Sequence, residues 1–343
     1  MFKKICLAAV MLLIVLGIWQ RELVAYGWMQ GKGQWNVLWN ARPIADVMAD
    51  AQVPDSLKKR LELIQEIKRF AIDSLGLHDT ENYTTLFDQH GKPILWVLTC
   101  ADPYKMEAKM WSFPLVGSFT YKGFFDEQKL KEAEKEMKAQ GYDTDINPVS
   151  AWSTLGWFKD PILSSMLYRP EGSLANLIIH EMTHATLFVK DSHEFNENLA
   201  EFVGDYGAKA FLKYKYGATS PQLDKYLKRK VFNDKFSQHI LRGATQLDSL
   251  YQNFLPSFTS KQKDSLKYAL IQKIVDSSDS VFVGMSFTKS VYFEPKTLPN
   301  NAFFVGFITY RAKQNQFEVE FQTRFSGDFR KYLTYLKAKY PSI

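Results

Sequence analysis

Two histidines and a glutamate lie within one five-residue stretch, His180-Glu-Met-Thr-His184, and these residue types at this spacing could bind a metal ion. The stretch lies inside an apolar run, residues 174–188, which predicts a buried helix. Residues four apart lie on the same face of a helix, so both imidazoles can reach one cation, with Glu181 beside it. In H-E-x-x-H sites of this kind the ion is zinc, and it activates water for hydrolysis.

A structural interpretation of the same residues is a pair of hydrogen-bonded core histidines beside a buried acid. That acid would still need compensating groups, because a buried carboxylate without a partner is costly. The chain contains only six histidines, and two of them share this predicted face. The metal-site hypothesis is therefore favoured, with zinc as the predicted cofactor.

A second pair of acids with the same spacing, Glu197 and Glu201, follows shortly after the histidines. Residues 195–204 predict a second helix with Asn196 as its N-cap, and residues 190–193 predict the loop that connects the two helices. Both acids then share one helical face. Small residues on or near that face would allow a close approach to the first helix: Ala200, Gly204 and Ala208.

A catalytic zinc ion takes three protein ligands and keeps one position open for water. His180, His184 and Glu197 would supply two imidazoles and one carboxylate. Glu201, one turn further along, would accept a hydrogen bond from the far nitrogen of a ligand histidine and orient its ring. Two alternatives stay open: Glu197 as an acid favoured by the N-terminus of its helix, and Glu201 as a solvated surface acid.

His193 is the main competitor for the place of the third ligand. The pattern H-E-x-x-H-x-x-G-x-x-H would require glycine at position 187 and histidine at position 190, where this chain has Leu187 and Lys190. That pattern is therefore absent. We expect His193 to lie in the connecting loop and to face solvent.

Eight stretches together carry a family resemblance. The pairing of H-E-x-x-H with N-E-x-x-A resembles the gluzincin metallopeptidases, and the whole set more closely resembles a bacterial family described as putative aminopeptidases. The stretches are Gly33-Gln34, Ala41-Arg-Pro-Ile44, Trp111-Ser-Phe-Pro-Leu-Val-Gly117, Tyr121-Lys-Gly-Phe-Phe125, Ser153-Thr-Leu-Gly-Trp-Phe-Lys-Asp-Pro161, Ile179-His-Glu-Met-Thr-His-Ala-Thr-Leu-Phe188, Phe195-Asn-Glu-Asn-Leu-Ala200 and Asn300-Asn-Ala302.

The resemblance implies zinc ligation by His180, His184 and Glu197, with Glu181 as the general base and a peptide as the substrate. It also implies a gluzincin-like core in an α+β fold that is mostly helical, with a small sheet before the H-E-x-x-H helix and a helical C-terminal part. The chain departs from its relatives in two respects. Relatives often carry cysteines where this chain has Ser112 and Ser118, so a disulfide there is absent, and its N-terminus lacks a proper lipobox.

Composition is typical of a folded domain with a large core. The 343 residues are 46% hydrophobic and 15% aromatic, and the formal net charge is +6. Lysines alternate with acids, as in residues 129–138, which is typical of a solvated helix and not of a nucleic-acid surface. The two cysteines, Cys6 and Cys100, are too far apart in the predicted elements to suggest a disulfide or a cysteine-type zinc site.

The N-terminus combines Lys3 and Lys4 with an uninterrupted apolar segment, residues 5–19. As a helix this segment would span about 22 Å, short of the roughly 30 Å hydrocarbon core, which favours a cleaved signal peptide and a secreted enzyme. However, no A-x-A cleavage site follows, and family-like sequence begins within a few residues. We therefore favour residues 1–26 as an uncleaved inner-membrane anchor, with the enzyme on the periplasmic side.

The remaining elements are predicted from periodicity and from turn residues. Helices are expected at residues 43–75 with a break near Pro54, between Asp126 and Gly141, and at residues 223–254, 260–275, 299–310 and 329–340. Strands are expected at residues 93–100 and 142–149, with a strand pair at residues 116–125, and residues 317–321 are ambiguous. No glycine-rich linker interrupts the chain, so residues 27–343 are predicted to form a single domain.

Substrate contacts are predicted in two places. The strand at residues 154–158, with Gly156 and Trp157, would form the cleft edge along which a peptide pairs by main-chain hydrogen bonds. An ordinary core strand is the alternative. Tyr310 would donate a hydrogen bond to the oxyanion, or would simply pack in the core. Two other functions stay open: a membrane-tethered, zinc-stabilised binding or scaffold protein without turnover, and hydrolysis of a non-peptide amide.

Overall fold

The computed structural model describes residues 20–113, 117–149, 159–283, 293, 297–311 and 314–340. Within these ranges the chain is mostly helical and its strands are short. The predicted α+β class dominated by helices is therefore confirmed. The predicted apolar anchor at residues 5–19 and the predicted cleft edge at residues 154–158 lie outside the described residues. Across the described ranges, no helix combines the length and the apolar character that crossing a membrane requires.

Three helices open the described chain: α1 (Arg21–Asn40), α2 (Ile44–Ala49) and α3 (Asp55–Asp73). Pro54 immediately precedes α3, as the predicted break requires. The fixed φ of proline suits a helix start, and its ring excludes continuation of the preceding helix. The apolar stripe of α3 is buried against the core at every position: Leu61, Ile64, Ile67 and Phe70.

Eight short strands in the described ranges form three small sheets, not the single sheet that the sequence predicts. In the first, β2 lies between β1 and β8, and in the second β3 lies between β6 and β7. The third is a pair, β4 with β5. The strands are β1 (Arg42–Pro43), β2 (Thr85–Phe87), β3 (Trp96–Ala101), β4 (Trp111–Phe113), β5 (Gly117–Phe119), β6 (Tyr121–Phe124), β7 (Asp143–Pro148) and β8 (Ile162–Leu163).

The region predicted as one strand pair, residues 116–125, is divided between two sheets. β6 pairs with β3, with Phe124 opposite Trp96, and buries Phe124 in the cluster that contains Leu98. β5 turns away to pair with β4, where the hydroxyl groups of Ser112 and Ser118 lie 2.9 Å apart. These two serines thus face each other at the positions where relatives often carry cysteines.

Helix α4 (Glu127–Ala139) follows the predicted boundaries because its ends are encoded locally. The carboxylate of Asp126 accepts hydrogen bonds from the backbone N–H groups of Gln128 and Lys129, which satisfies two otherwise unpaired donors of the first turn. Gly141 follows the helix with φ of +86°, a conformation that costs glycine little.

After β8 the described chain contains only helical elements. A 3₁₀ turn (Ser164–Tyr168) leads to α5 (Glu171–His184) and α6 (His193–Tyr216). Phe317 and Phe321, in the ambiguous segment, are four apart and pack on Phe202 of α6, and this contact favours a helix. The later helices are α7 (Pro221–Gln252), α8 (Ser260–Ser277), α9 (Asp279–Phe282), α10 (Asn301–Arg311), α11 (Gln314–Phe325) and α12 (Phe329–Lys339).

The main hydrophobic core surrounds α5, against which α3, α6 and α7 pack. Helices α5 and α6 approach each other closely because the facing residues are small. At Gly204, a Cβ atom would lie 2.9 Å from the backbone oxygen of Asn176 and 3.3 Å from the Cβ atom of His180. Ala200 and Ala208 are fully buried. The predicted small-residue contact between the two helices is therefore confirmed.

Candidate metal centre

Helix α5 directs one face to the core and another to α6. Ile178, Ile179 and Met182 are almost completely buried, so the apolar side fixes the rotation of the helix. His180 and His184 then lie on the side that α6 covers, with side chains 15% and 6% exposed. The helix ends at His184, four residues before the end of the apolar run.

Helix α6 begins at His193, three residues before the predicted N-cap, so the capping role assigned to Asn196 is wrong. Asn196 lies in the first turn and is buried. Its side-chain oxygen accepts a hydrogen bond from the N–H of Val189 at 2.9 Å, and its amide donates to the carbonyl of Val189 at 2.8 Å. Asn196 therefore holds the connecting loop against α6 and fixes the position of its neighbour, Glu197.

Three donor groups converge between the two helices. The Nε2 atoms of His180 and His184 are 3.2 Å apart. One oxygen of Glu197 lies 3.5 Å from Nε2 of His180, and the other lies 3.5 Å from Nε2 of His184. These three residues could hold a metal ion, and no other group of three such side chains converges in the described part of the chain.

The spacing of these atoms fits zinc. Zinc binds imidazole nitrogen and carboxylate oxygen at about 2.0–2.2 Å in a tetrahedral arrangement, so its ligand atoms are about 3.3–3.6 Å from one another. The separations of 3.2 and 3.5 Å are close to these values. Two imidazoles and one carboxylate are also a donor set that catalytic zinc sites use.

Glu201 lies beside one histidine and not the other. Its Oε2 atom is 3.8 Å from Nδ1 of His180, the nitrogen that faces away from the convergence point. By contrast, Nδ1 of His184 is buried and has no hydrogen-bond partner among the described residues. The structure thus places Glu201 next to the far nitrogen of His180.

Glu181 is partly buried next to the three donors. Burial raises the pKa of Glu181 to about 7, the charge of His180 opposes this, and Glu197 and Asp160 add to it. A carboxyl group with a pKa near neutrality can both accept and return a proton at physiological pH.

The three donor groups are strongly coupled. Burial opposes the charge on Glu197, but the nearby histidines, His184 first, lower its pKa to about 2. Burial also opposes a charge on His180, but a hydrogen bond to Glu197 and the neighbouring carboxylates raise the pKa of His180 to about 9. Burial lowers the pKa of His184 to about 4. Without metal, His180 therefore holds a proton at neutral pH and Glu197 is ionised.

His193 does not face solvent, so that prediction is wrong. Its side chain is 9% exposed, and its ring packs edge-on against the rings of Phe119 and Tyr121, with centroids 5.6 and 5.5 Å away. Its Nδ1 atom lies 3.8 Å from an oxygen of Glu197. The spacing of four between His193 and Glu197 would predict this contact on a helix. Because His193 was assigned to the loop, the contact was not predicted.

Three further residues interact electrostatically with the acids of the site and were not among the predicted site residues. The hydroxyl of Tyr121 has a pKa raised by burial and then by the charges of Glu197 and Glu181. Tyr83 is buried, and its pKa is raised by burial and then by Glu181 and Asp160. The N–H of Tyr83 donates to the carbonyl of Asp160 at 2.7 Å. Tyr83 and Asp160 are 77 residues apart in the sequence, so their contact could not be predicted from spacing.

The predicted substrate contacts are not tested by the structure. Gly156 and Trp157 lie outside the described residues. Tyr310 lies in α10, and its side chain is also outside the described part. The neighbouring Thr309 accepts a hydrogen bond at its carbonyl from the buried amide of Asn198, which brings the end of α10 against α6. These residues therefore stay predictions.

Comparison with known proteins identifies the family. Residues 25–339 match the family described as Putative aminopeptidase. The chain belongs to this family, as its motifs predicted. No curated protein and no solved structure matches the chain. The family description suggests a peptidase, and the metal assignment depends on the geometry described above.

Proposed function

We propose that the protein is a zinc-dependent peptidase, with His180, His184 and Glu197 as the zinc ligands. The observation that carries the proposal is the convergence of their donor atoms at 3.2 and 3.5 Å, with Glu181 beside them. The family description supports peptide-bond hydrolysis. The close pairing of α5 and α6 supports a gluzincin-like core, and we propose that residues 27–343 form one domain around it.

Bound zinc would supply a Lewis acid that makes water more acidic and polarises a carbonyl group. Glu181 would remove a proton from the attacking water and return it to the leaving amine as the carbon–nitrogen bond breaks. In the metal-free protein burial raises the pKa of Glu181 to about 7. The charge of bound zinc would lower this pKa and favour the carboxylate form, which accepts the proton.

The residues around the ligands would keep them in position. Glu201 faces Nδ1 of His180 and would orient this ring. His193 faces one oxygen of Glu197 and would restrain this carboxylate. We keep Gly156, Trp157 and Tyr310 as the proposed contacts to a bound peptide.

We further propose that residues 5–19 tether the protein to the inner membrane and that the metal centre lies on the periplasmic side. The support is the sequence pattern: an apolar segment that follows two lysines at the N-terminus. If the segment is removed, the protein would be secreted.

The test is cleavage of a mixed peptide library, with products identified by mass spectrometry. Zinc-loaded wild type should cleave peptides, and a chelator should abolish cleavage. Glu181→Gln should retain one zinc per chain and lose activity by roughly 10²–10⁴-fold, the usual contribution of a general acid–base group. Glu171→Gln makes the same chemical change on the same helix, away from the metal centre, and should remain active.

Two results would contradict the proposal. Unchanged cleavage by Glu181→Gln with full zinc content would exclude Glu181 as the base. Absence of cleavage by zinc-loaded wild type would favour the alternative, a zinc-stabilised scaffold without turnover.

A further inference from the structure

The outward face of α1 exposes three of the eight tryptophans of the chain. Trp28, Trp35 and Trp39 are 76%, 64% and 74% exposed, and Val24 is 55% exposed. Their spacings of four, seven and four place all four side chains on one side of the helix. We call this side the tryptophan face.

The opposite side of α1 is firmly packed, so the exposure does not reflect a detached helix. Val37 is buried, and the hydroxyl of Tyr26 donates to the carbonyl of Gly123 at 3.0 Å. The amide of Gln30 donates to the same carbonyl at 2.7 Å. At Gly33, a Cβ atom would overlap the ring of Phe125. The domain therefore fixes the rotation of α1, and the tryptophan face points away from it.

Indole rings combined with cations are typical of surfaces that meet the interface of a lipid bilayer. Tryptophan prefers the headgroup region because its ring is apolar and its N–H is polar. Arg21 and Lys32 are exposed and lie on the same side, since they are seven residues before and four residues after Trp28. No acidic residue occupies this side of α1, so it is suited to anionic headgroups.

We propose that the tryptophan face lies in the headgroup region of a phospholipid bilayer, with α1 parallel to the membrane plane. The apolar segment at residues 5–19 ends two residues before α1 begins. Its position indicates that a bilayer, and not another protein, contacts the tryptophan face. Trp28 and Trp39 are about 16 Å apart along the helix, farther than the roughly 5–8 Å depth of one interface, so an upright helix could not place both there. The proposal rests on the proposed membrane tether.

This orientation brings the metal centre towards the membrane surface. Helix α1 docks on Gly123 of β6, and the same strand begins at Tyr121, whose ring packs on His193 beside Glu197. One short strand thus contacts both the proposed membrane-facing helix and the wall of the site. Peptides held close to the bilayer are the substrates that this arrangement would favour.

The test uses the full chain in vesicles of phosphatidylethanolamine and phosphatidylglycerol that contain brominated phosphatidylcholine, which quenches nearby tryptophan fluorescence. Trp19→Phe keeps the tryptophan face and removes the tryptophan of the apolar segment. The matched variant, with Trp28, Trp35 and Trp39 all changed to Phe, keeps Trp19. Because phenylalanine preserves apolar character, these changes remove the fluorescent reporter and not the surface.

In Trp19→Phe, brominated lipid should quench Trp28, Trp35 and Trp39, about three of the seven tryptophans that remain. In the triple variant, quenching should be confined to Trp19, one of five. If quenching disappears in Trp19→Phe but persists in the triple variant, the tether stands and the proposal for α1 is overturned. Failure of every variant to float with vesicles would overturn both. Blue-shifted but unquenched emission with a doubled mass would show that a second copy covers the face, which also overturns the proposal.

Discussion

The metal centre and the region around Lys267 both bury charged groups, but they arrange them differently. Lys267 is 1% exposed and donates to the carboxylate of Asp143 and to the carbonyl of Pro103. The N–H of Asn301 donates to the same carboxylate, and its side chain is bonded to Tyr251 and to the carbonyl of Asp102. We call this set the Lys267 network.

The two regions differ in whether their charged and polar groups find all their partners within the protein. In the Lys267 network, a cation meets an anion, and amide and hydroxyl groups complete the remaining hydrogen bonds. In the metal centre, two imidazoles and a carboxylate direct their acceptors towards one point, where only a proton or a metal ion can join them. The Lys267 network pairs its charges within the protein, whereas the converging lone pairs of the metal centre need a bound cation.

The largest expected effect follows from removing the buried cation of the Lys267 network, and this effect is on stability. Lys267→Met should lower the free energy of unfolding by about 3–5 kcal/mol, because Asp143, whose side chain is only 13% exposed, then loses its cation. Zinc content per folded chain should not change. Chemical denaturation and metal analysis would measure both, with Lys273→Met as the exposed control on α8. Wild-type stability in Lys267→Met would show that the Lys267 network is not structural.

The complementary change is His193→Gln, which should affect metal affinity more than stability. Loss of the ring nitrogen beside Glu197 should raise the Kd for zinc by about 10–100-fold, the usual effect of removing a group that orients a ligand. Zinc titration against a competing chelator would measure this. His239→Gln, which alters a histidine bonded to the carbonyl of Ile274, is the control.

His193→Phe separates positioning from packing, because phenylalanine keeps the ring contacts with Phe119 and Tyr121. A Kd close to wild type in His193→Phe would mean that His193 only packs against these rings.

A smaller expected effect is on the pH dependence of zinc binding. The pKa of His180 is raised to about 9, so its proton is present at neutral pH and must leave when metal binds. Affinity should therefore rise with pH by about tenfold per unit from pH 7 and level off near pH 9. Glu197 adds no pH dependence to the zinc affinity between pH 7 and 9, because its pKa of about 2 lies far below this range.

Calorimetry in buffers with different ionisation enthalpies would count the protons released. We expect about one from the ligands at pH 7. A pH-independent affinity between pH 7 and 9 would show that His180 is already neutral in the metal-free protein.

Much of the metal centre could be predicted because its signals are local. Spacings of four place His180 with His184 and Glu197 with Glu201, and small residues allow their helices to meet. The N-cap at Asn196 was predicted wrongly because its side chain has a tertiary use, holding Val189 of the preceding loop. The solvent-facing position of His193 was wrong for a related reason, since Phe119 and Tyr121 come from strands more than 70 residues earlier.

The same distinction applies to the fold. The capped boundaries of α4 and the buried stripe of α3 follow from residues within a turn or two of one another, so the sequence alone determined them. By contrast, long-range packing divides residues 117–124 between two sheets and joins Asn301 to Lys267 and Asp143 in one network. Periodicity and caps report interactions between neighbours in sequence, whereas these contacts depend on which distant surfaces bury each other most completely.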